Sequence, residues 1–442
     1  MTQGAHATHQ ALVNELSNYI QSQYFGRNPA LYEAVRELMV REGMIYRVPY
    51  IESSPAYCTA PGGIEASQVL APWLKEFFER MCKAGLGVFS EPYVHQVQSL
   101  EHFYQGHDLF VSTGTGSGKT ECFLWPLLAR MAMEAHDSPE SWQQRAVRCI
   151  VLYPMNALVS DQLSRMRRLM GCKGDFPSIF KSLGSYIRRP QFGMYTGRTP
   201  YPGRPSKTED KRLAMTYMDI TGNDDIEWVK RLEQEGRLPA RVDLNLLITQ
   251  LLDGIHEASI DDAELVTRFE MHRTAPDILI TNYSMIEYMM LRPAEAPIWS
   301  STAKWLSLNP DQKLLFVLDE AHMYKGSSGG EVAMLLRRVM NSLKIDRSRI
   351  QFILTTASMP EGEEDDLIVQ KFARNLTGAP EGHDFVLLRG ERQQLSQDNL
   401  LELDDDAVAS THPADFEGSR QQQLQALITF WERQPVRDAE PR

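Results

Sequence analysis

The stretch "STGTGSGKTE", residues 112–121, decides the fold of this chain. Three glycines, Gly114, Gly116 and Gly118, precede the pair Lys119–Thr120. An apolar run comes before the turn and a helix-forming segment follows it. Glycines let successive backbone N–H groups converge on one anion, and the N-terminus of the helix adds further unpaired donors. A strand, a glycine-rich turn and a helix in this order are typical of a phosphate-binding P-loop.

Each residue of such a loop has an expected role. Lys119 would reach the β- and γ-phosphates as a point charge, and the Thr120 hydroxyl would help to hold Mg²⁺, so the predicted cofactors are ATP and Mg²⁺. The predicted phosphate-lining residues are Thr113, Gly114, Thr115, Gly116, Ser117, Gly118, Lys119 and Thr120. The usual P-loop pattern has glycine where this chain has Thr113. If this stretch is considered without the rest of the chain, the alternative to a P-loop is therefore an ordinary glycine-rich turn beside a helix.

Composition limits the classes of protein to consider. A chain of 442 residues with 43% hydrophobic and 24% charged residues is predicted to be a folded, cytoplasmic protein of two or three domains with no membrane partner. The formal net charge of −12 provides no overall basic field for nucleic acid, although a local basic groove stays compatible with it. The five scattered cysteines contain no C-x-x-C pair, which favours buried thiols over zinc or disulfides.

Short apolar segments alternate with helical patterns between residues 86 and 375. The predicted strands are 108–112, 147–153, 191–195, 277–281, 313–319 and 351–356, and the predicted helices between them include 118–134, 157–170, 284–291 and 329–343. This alternation predicts an α/β domain with a doubly wound, mostly parallel sheet. We expect a helical and loop-rich region over 1–85, a largely helical insertion at about 171–275, and the start of a linker or a truncated tail over 376–442.

A second motif, "LLFVLDEAH" at 314–322, places Asp319 and Glu320 at the carboxyl end of an apolar strand. In a parallel sheet that edge also carries the phosphate loop. Asp319 would hold Mg²⁺ while Glu320 orients or deprotonates the attacking water, so Lys119, Asp319 and Glu320 are the predicted catalytic residues. The alternative is a pair of acids at the favourable end of a helix. The strand before the acids and the loop that precedes them favour the ATP site.

Together, "STGTGSGKTE" and "LDEAH" resemble motifs I and II of superfamily 2 helicases of the DEAD/DEAH-box type. Other motifs of that family's first, RecA-like lobe follow in order over about 90–360. They are "PYVHQVQSL" (92–100), "YPMNALVSDQ" (153–162), "MYTGRT" (194–199), "ITNYSMIEYMMLRP" (280–293) and "TTAS" (355–358). The stretches 319–340 and 48–57 resemble the Lhr- and YprA-like helicases, a group that includes large helicases of bacterial antiviral defence islands.

The resemblance implies further roles. Gln96 would read the adenine base, and His322, beside the nucleotide, would couple the ATP site to the nucleic-acid site with Thr356 and Ser358. The residues implied to contact the nucleic-acid backbone are Asn156, Thr196, Gly197, Thr281 and Asn282. The alternative is that these threonines and asparagines end strands and cap helices, and that His322 only begins a helix.

The arginine-rich motif of the family's second lobe does not occur in the 442 residues. The resemblance therefore implies the ATP-binding lobe of a nucleic-acid-dependent ATPase, as a fragment or split protein. Its expected partners are single- or double-stranded nucleic acid, with DNA favoured, and a separate chain that supplies the second lobe. The alternative function is a nucleotide- and nucleic-acid-binding module without turnover.

Overall fold

The computed structural model describes most of the chain. The described residues are 5–25, 29–39, 41, 43–47, 55–114, 116–171, 174–201, 203–223, 225–357, 362–393, 408, 411–416 and 419–433. Two predicted site residues, Thr115 and Ser358, lie outside them.

The described residues form one sheet of eight strands, and every pairing in it is parallel. The strands are β1 Leu109–Ser112, β2 Cys149–Tyr153, β3 Phe192–Tyr195, β4 Glu264–Leu265, β5 Ile278–Asn282, β6 Leu314–Leu318, β7 Ile350–Thr356 and β8 Val386–Arg389. Their order across the sheet is β4-β3-β5-β2-β6-β7-β1-β8. All residues of β1, β2, β6 and β7 are buried, as expected where helices cover both faces. The predicted doubly wound α/β fold is confirmed.

Helices separate most of the strands. In chain order they are α1 Ala5–Ile20, α2 Pro29–Met39, α3 Pro72–Lys83, α4 Val94–Tyr104, α5 Glu121–Asp137, α6 Pro139–Gln143, α7 Asn156–Met170, α8 Phe176–Lys181, α9 Lys207–Thr221, α10 Ile226–Gln234, α11 Leu244–Leu252, α12 Arg268–Arg273, α13 Tyr283–Leu291, α14 Ala296–Leu308, α15 Gly326–Leu343, α16 Glu363–Thr377 and α17 Arg420–Glu432. None of the described helices is both long enough and apolar enough to cross a membrane.

The chain divides into two compact units, one of residues 57–392 and one of residues 1–56 with 393–442. The larger unit contains the sheet and extends beyond both boundaries of the predicted domain, 86 and 375. On the amino-terminal side α3 contributes the buried residues Leu74, Phe77, Phe78 and Met81. On the other side, β8 pairs with β1. The predicted insertion also contributes to the sheet, because β3 and β4 lie within 171–275.

A buried ion network fixes the amino ends of the central strands. Two nitrogens of Arg148 each lie 2.9 Å from a carboxylate oxygen of Glu134, and a third lies 3.2 Å from Asp277. Arg188 donates two hydrogen bonds of 2.7 Å to the same Asp277 carboxylate. Burial alone would raise the pKa of Asp277, but the neighbouring guanidinium groups hold it below the usual value. The network therefore stabilises the start of β2 beside the start of β5.

We expect Arg148→Met to lower the free energy of unfolding by about 3–5 kcal/mol, because it leaves Glu134 and Asp277 buried without this guanidinium. Chemical denaturation measures this difference. Arg338→Met is the matched control, since its ion pair with Glu287 is about half exposed and its loss should change stability by less than about 0.5 kcal/mol. Equal effects of the two substitutions would contradict the stabilising role of the network.

Candidate nucleotide and nucleic-acid site

All of the predicted motifs that the structure describes meet at the carboxyl edge of the sheet, where ligands bind in open α/β folds. The nucleotide motifs follow β1, β6 and β7, and the nucleic-acid motifs follow β2, β3 and β5. Because the order across the sheet is β3-β5-β2-β6-β7-β1, each group occupies adjacent strands. The two predicted sites are therefore neighbours along one edge.

The glycine-rich loop has the conformation that its glycines allow. Gly116 and Gly118 have φ angles of 78° and 71°, in the left-handed region that other residues rarely adopt. A Cβ atom on Gly118 would lie 2.1 Å from Gln96 Nε2, so a larger residue at this position would displace the Gln96 amide. Gln96 donates to the Gly118 carbonyl at 3.1 Å and accepts from the Tyr93 N–H at 2.9 Å. The predicted adenine reader thus also supports the loop.

His95, which sequence reasoning did not identify, holds the same loop. Its Nε2 lies 2.9 Å from the Ser117 carbonyl, and a carbonyl can only accept, so Nε2 carries the proton. The Ser117 hydroxyl in turn donates to the Gly114 carbonyl at 2.7 Å. Burial lowers the pKa of His95, which keeps the ring neutral.

Lys119 and Glu320 form an ion pair of 2.6 Å across the site. Their side chains are 15% and 23% exposed, so water screens this pair only in part. Glu320 has a φ of 52°, a strained conformation for a residue with a side chain. Strain at this position is consistent with a functional constraint on the carboxylate.

Asp319 is buried beside this pair. Burial raises its pKa, while a hydrogen bond from the Thr355 hydroxyl and the charge of Lys119 act in the opposite direction. The sequence motif "TTAS" suggested Thr356 but not Thr355, because only the fold shows that Thr355 contacts Asp319. The three predicted catalytic side chains therefore lie in one group.

His322 connects the end of β7 to this group. Its Nδ1 lies 3.0 Å from the Thr356 hydroxyl and 3.3 Å from Glu320 Oε2. The Thr356 carbonyl accepts the Thr113 N–H at 3.2 Å, which adds a backbone link to the phosphate loop. The structure thus brings together two of the three predicted coupling residues, and Ser358 is outside the described part.

A cavity of about 730 Å³ opens over the loop, within the usual range for ligand sites. Its lining residues include Phe89, Tyr93, Gln96, Gly114, Gly116, Gly118, Lys119, Thr120, Arg165 and Glu320. A loop with glycines and one lysine fits a polyphosphate. The Thr120 hydroxyl and the Asp319 carboxylate are the hard oxygen ligands that Mg²⁺ prefers, so the residues present also fit this ion.

The nucleic-acid motifs show a division between exposed and buried groups. Asn156 and Asn282 meet at the surface, where Asn282 Nδ2 donates to Asn156 Oδ1 at 2.6 Å. Asn282 also caps α13 by accepting the Met285 N–H at 2.8 Å. Gly197 is exposed in the turn after β3.

The two threonines of these motifs are buried. The Thr281 hydroxyl donates to the Tyr195 carbonyl at 2.6 Å, and the Thr196 hydroxyl accepts the Arg198 N–H at 3.1 Å. Their side chains shape the ends of β3 and β5, which agrees with the strand-end alternative for these two positions. Direct contact with nucleic acid by these hydroxyls would require a rearrangement.

We expect folding stability to fall as the pH drops below 6.5, the ordinary pKa of histidine, with His95 as one contributor. The unfolded chain takes up a proton at His95 in that range, whereas the folded state, with its lowered pKa, does not. Stability from this site is therefore present above 6.5 and is lost as the pH falls toward the folded pKa. His95→Gln keeps a donor for the Ser117 carbonyl and should reduce the difference in Tm between about pH 7.5 and about pH 5.5.

His136→Gln, at a histidine whose side chain is 36% exposed, is the control for this measurement. The same pH dependence in wild type and His95→Gln would show that His95 does not contribute.

The parallel sheet, the glycine-rich loop and the paired carboxylates define a RecA-like P-loop lobe. The family model for the DEAD/DEAH box helicase matches residues 93–188. Over 428 residues, 90% of this chain, the sequence is 36% identical to Druantia protein DruE of Escherichia coli (strain UMEA 4076-1) and covers 23% of that protein. The chain carries a DEAD/DEAH box helicase domain and is homologous to DruE and to YprA-like ATP-dependent helicases, which confirms the resemblance.

Two more distant relatives bear helicase names. The chain is 23% identical to the uncharacterized ATP-dependent helicase YprA of Bacillus subtilis (strain 168), over 72% of this chain and 29% of that protein. It is 22% identical to the uncharacterized ATP-dependent helicase MJ1574 of Methanocaldococcus jannaschii, over 62% of this chain and 26% of that protein. The chain thus spans about a quarter of the length of the curated relatives that it matches.

Solved structures give weaker similarity. The DUF1998 helicase MrfA bound to DNA matches 81% of this chain and 34% of its own, with 18% identity and a TM-score of 0.40. The DEAD-box helicase Mss116 bound to ssRNA and UDP-BeF matches 78% of this chain and 46% of its own, with 14% identity and a TM-score of 0.39.

Proposed function

We propose that this chain is the ATP-binding lobe of a nucleic-acid-dependent ATPase of the helicase or translocase type, acting on DNA. The observation that carries the proposal is the contact of Lys119 with Glu320, 2.6 Å apart and next to the buried Asp319. A module that only binds nucleotide needs Lys119 but has no use for Glu320. The arrangement therefore favours hydrolysis over the non-hydrolysing binding module.

The contact also suggests how the site responds to nucleotide. Lys119 has one ammonium group, and a terminal phosphate entering the loop would compete with Glu320 for it. Replacing Glu320 as the partner of Lys119 would free its carboxylate to orient or deprotonate the attacking water. In the proposed site Thr120 and Asp319 hold Mg²⁺, which supplies positive charge to the phosphates when bound.

His322 and Thr356 are the proposed coupling residues. Nδ1 of His322 lies 3.0 Å from the Thr356 hydroxyl and 3.3 Å from the Glu320 carboxylate, so a shift of Glu320 changes the negative charge beside this nitrogen. The nucleic-acid motifs follow strands adjacent to these residues. We propose that the second lobe, with the arginines that stabilise transferred phosphate, comes from a longer protein or from a separate chain.

Hydrolysis of ATP by the purified chain, with single-stranded DNA, single-stranded RNA or neither, tests the proposal. With DNA and a second-lobe partner we expect stimulated turnover that Lys119→Ala abolishes together with ATP binding. Glu320→Gln should lower turnover by about 100-fold or more while ATP affinity stays equal or rises, because Lys119 loses its competing carboxylate. Glu331→Gln, at an exposed acid in the first turns of α15, is the matched control and should behave as wild type.

Two results would contradict this function. ATP binding that depends on Lys119, with no turnover even when DNA and a second-lobe partner are present, would support the binding module instead. Stimulation by RNA alone would contradict the choice of DNA, which derives from the resemblance to the Lhr- and YprA-like group.

The proposed nucleic-acid contact at Asn282 can be separated from its role as a helix cap. Asn282→Asp keeps a good cap for α13 but adds a negative charge where a phosphate would lie. We expect unchanged thermal stability and an affinity for single-stranded DNA about 3- to 10-fold lower, measured by fluorescence anisotropy at fixed salt. Asp243→Asn is the control, because Asp243 caps α11 by accepting the Asn245 and Leu246 N–H groups. If Asn282→Asp binds DNA as wild type does, Asn282 serves only as a cap.

A further inference from the structure

Tyr57 contacts the phosphate loop. It is the last residue of the stretch 48–57, and no role was assigned to it from the sequence. The Gly114 N–H donates to the Tyr57 hydroxyl at 3.2 Å. A Cβ atom on Gly114 would lie 3.1 Å from the same oxygen, so glycine leaves the space that this contact needs. Gly114 lines the nucleotide cavity together with Lys119 and Glu320. Tyr57 therefore holds a part of the loop that lines the same cavity as the two charged side chains.

The neighbouring residues restrict the position of the Tyr57 ring. A Cβ atom on Gly390, directly after β8, would lie 2.4 Å from the ring, so a larger residue at 390 would displace the tyrosine. The guanidinium of Arg392 lies 5.0 Å over the ring centre, within the range of a cation–π contact. The rings of Tyr93 and His95 lie 5.6 Å and 5.4 Å away.

Backbone hydrogen bonds hold Tyr57 in this place. The segment 57–60, which we name the strap, lies between the end of β8 and the start of α4. On one side the Cys58 N–H donates to the Glu391 carbonyl at 2.9 Å. On the other side the Val94 N–H donates to the Cys58 carbonyl at 3.0 Å, and the Ala60 N–H donates to the Pro92 carbonyl at 2.8 Å. The strap thus ties the sheet to the segment that carries His95 and Gln96.

The loop is consequently held at two places by connected parts of the structure. Gly114 is held by Tyr57 at one end, and Ser117 and Gly118 are held by His95 and Gln96 at the other. A glycine-rich loop without such contacts would lose conformational entropy each time it closed on a phosphate. Contacts that order the loop beforehand reduce that cost.

We propose that Tyr57 is a positioning residue of the nucleotide site, whose hydroxyl fixes Gly114 so that the loop is ready for the β- and γ-phosphates. The inference rests on the proposed function, because it takes the nucleotide to bind at this loop. Tyr57 acts through the loop backbone, so its effect depends on how many phosphates the ligand carries. The nucleoside part of the ligand is unaffected.

Tyr57→Phe tests the proposal, since it removes the hydroxyl and keeps the ring. Binding of ATP, ADP and AMP to the full chain is measured by calorimetry, and Tm is measured alongside. We expect ATP affinity to fall by about 3- to 10-fold, ADP affinity to fall less and AMP affinity to stay the same, at an unchanged Tm. Where turnover is measurable, KM for ATP should rise more than kcat falls.

Two further variants accompany this substitution. Gly390→Ala keeps the tyrosine but displaces its ring, so it should weaken the binding of ATP most, of ADP less and of AMP not at all. Tyr186→Phe is the control, because Tyr186 is 96% exposed in the turn before β3, and it should bind all three nucleotides as wild type does.

The outcomes separate this inference from the proposed function. If Lys119→Ala abolishes ATP binding while Tyr57→Phe and Gly390→Ala bind all three nucleotides as wild type does, Tyr57 only packs and the inference is overturned. An equal loss for ATP, ADP and AMP would also overturn it, since that result indicates general disruption. If Lys119→Ala binds ATP as well as wild type, both the proposed function and this inference fail.

Discussion

The site depends on the balance of charge among Lys119, Asp319 and Glu320 at one edge of a buried sheet. Asp319 has little access to water, and Glu320 and Lys119 are mostly covered, so their mutual attraction and repulsion are screened less than at the surface. One ammonium group serves two carboxylates. A triphosphate would bring several more negative charges to the same place, which the site can accept only if further positive charge enters with it. The residues themselves thus favour a nucleotide that arrives with a divalent cation.

The same constraint explains why the strands around the site are so uniformly apolar. The sheet must hold two adjacent acids at the end of β6 and a lysine after β1 without letting water between the strands. Every residue of β1, β6 and β7 is buried, and the ion network of Arg148, Glu134 and Asp277 fixes the central strands at the opposite edge. Polar groups therefore concentrate at the two edges of the sheet, and the edge at the carboxyl ends carries the cavity.

The features of this protein that its sequence predicts correctly are local ones. The phosphate loop, the acids after β6 and six of the eight strands each follow from a few consecutive residues. Tyr57, His95 and Thr355 could not be found in this way, because what identifies them is a contact with a residue distant in the chain. Strand β4 has two residues, too few for a periodic pattern. Strand β8 contains three apolar residues, but nothing in its own sequence shows that it pairs with β1.

The motif residues also differ in how well their position in a motif predicts the contacts of their side chains. Thr196 and Thr281 occupy the expected positions, yet both hydroxyls are used inside the protein to shape the turns after β3 and β5. In the proposed function, the groups left for a nucleic-acid backbone are those of Asn156 and Gly197, which are exposed, and of Asn282, which is partly exposed. Amide and backbone donors bind phosphate oxygens without distinguishing bases, so under the proposed function this surface would suit movement along a strand better than recognition of one sequence. A protein that uses ATP to move along nucleic acid needs contacts of that kind. This requirement would explain why the nucleotide motifs and the nucleic-acid motifs lie on neighbouring strands.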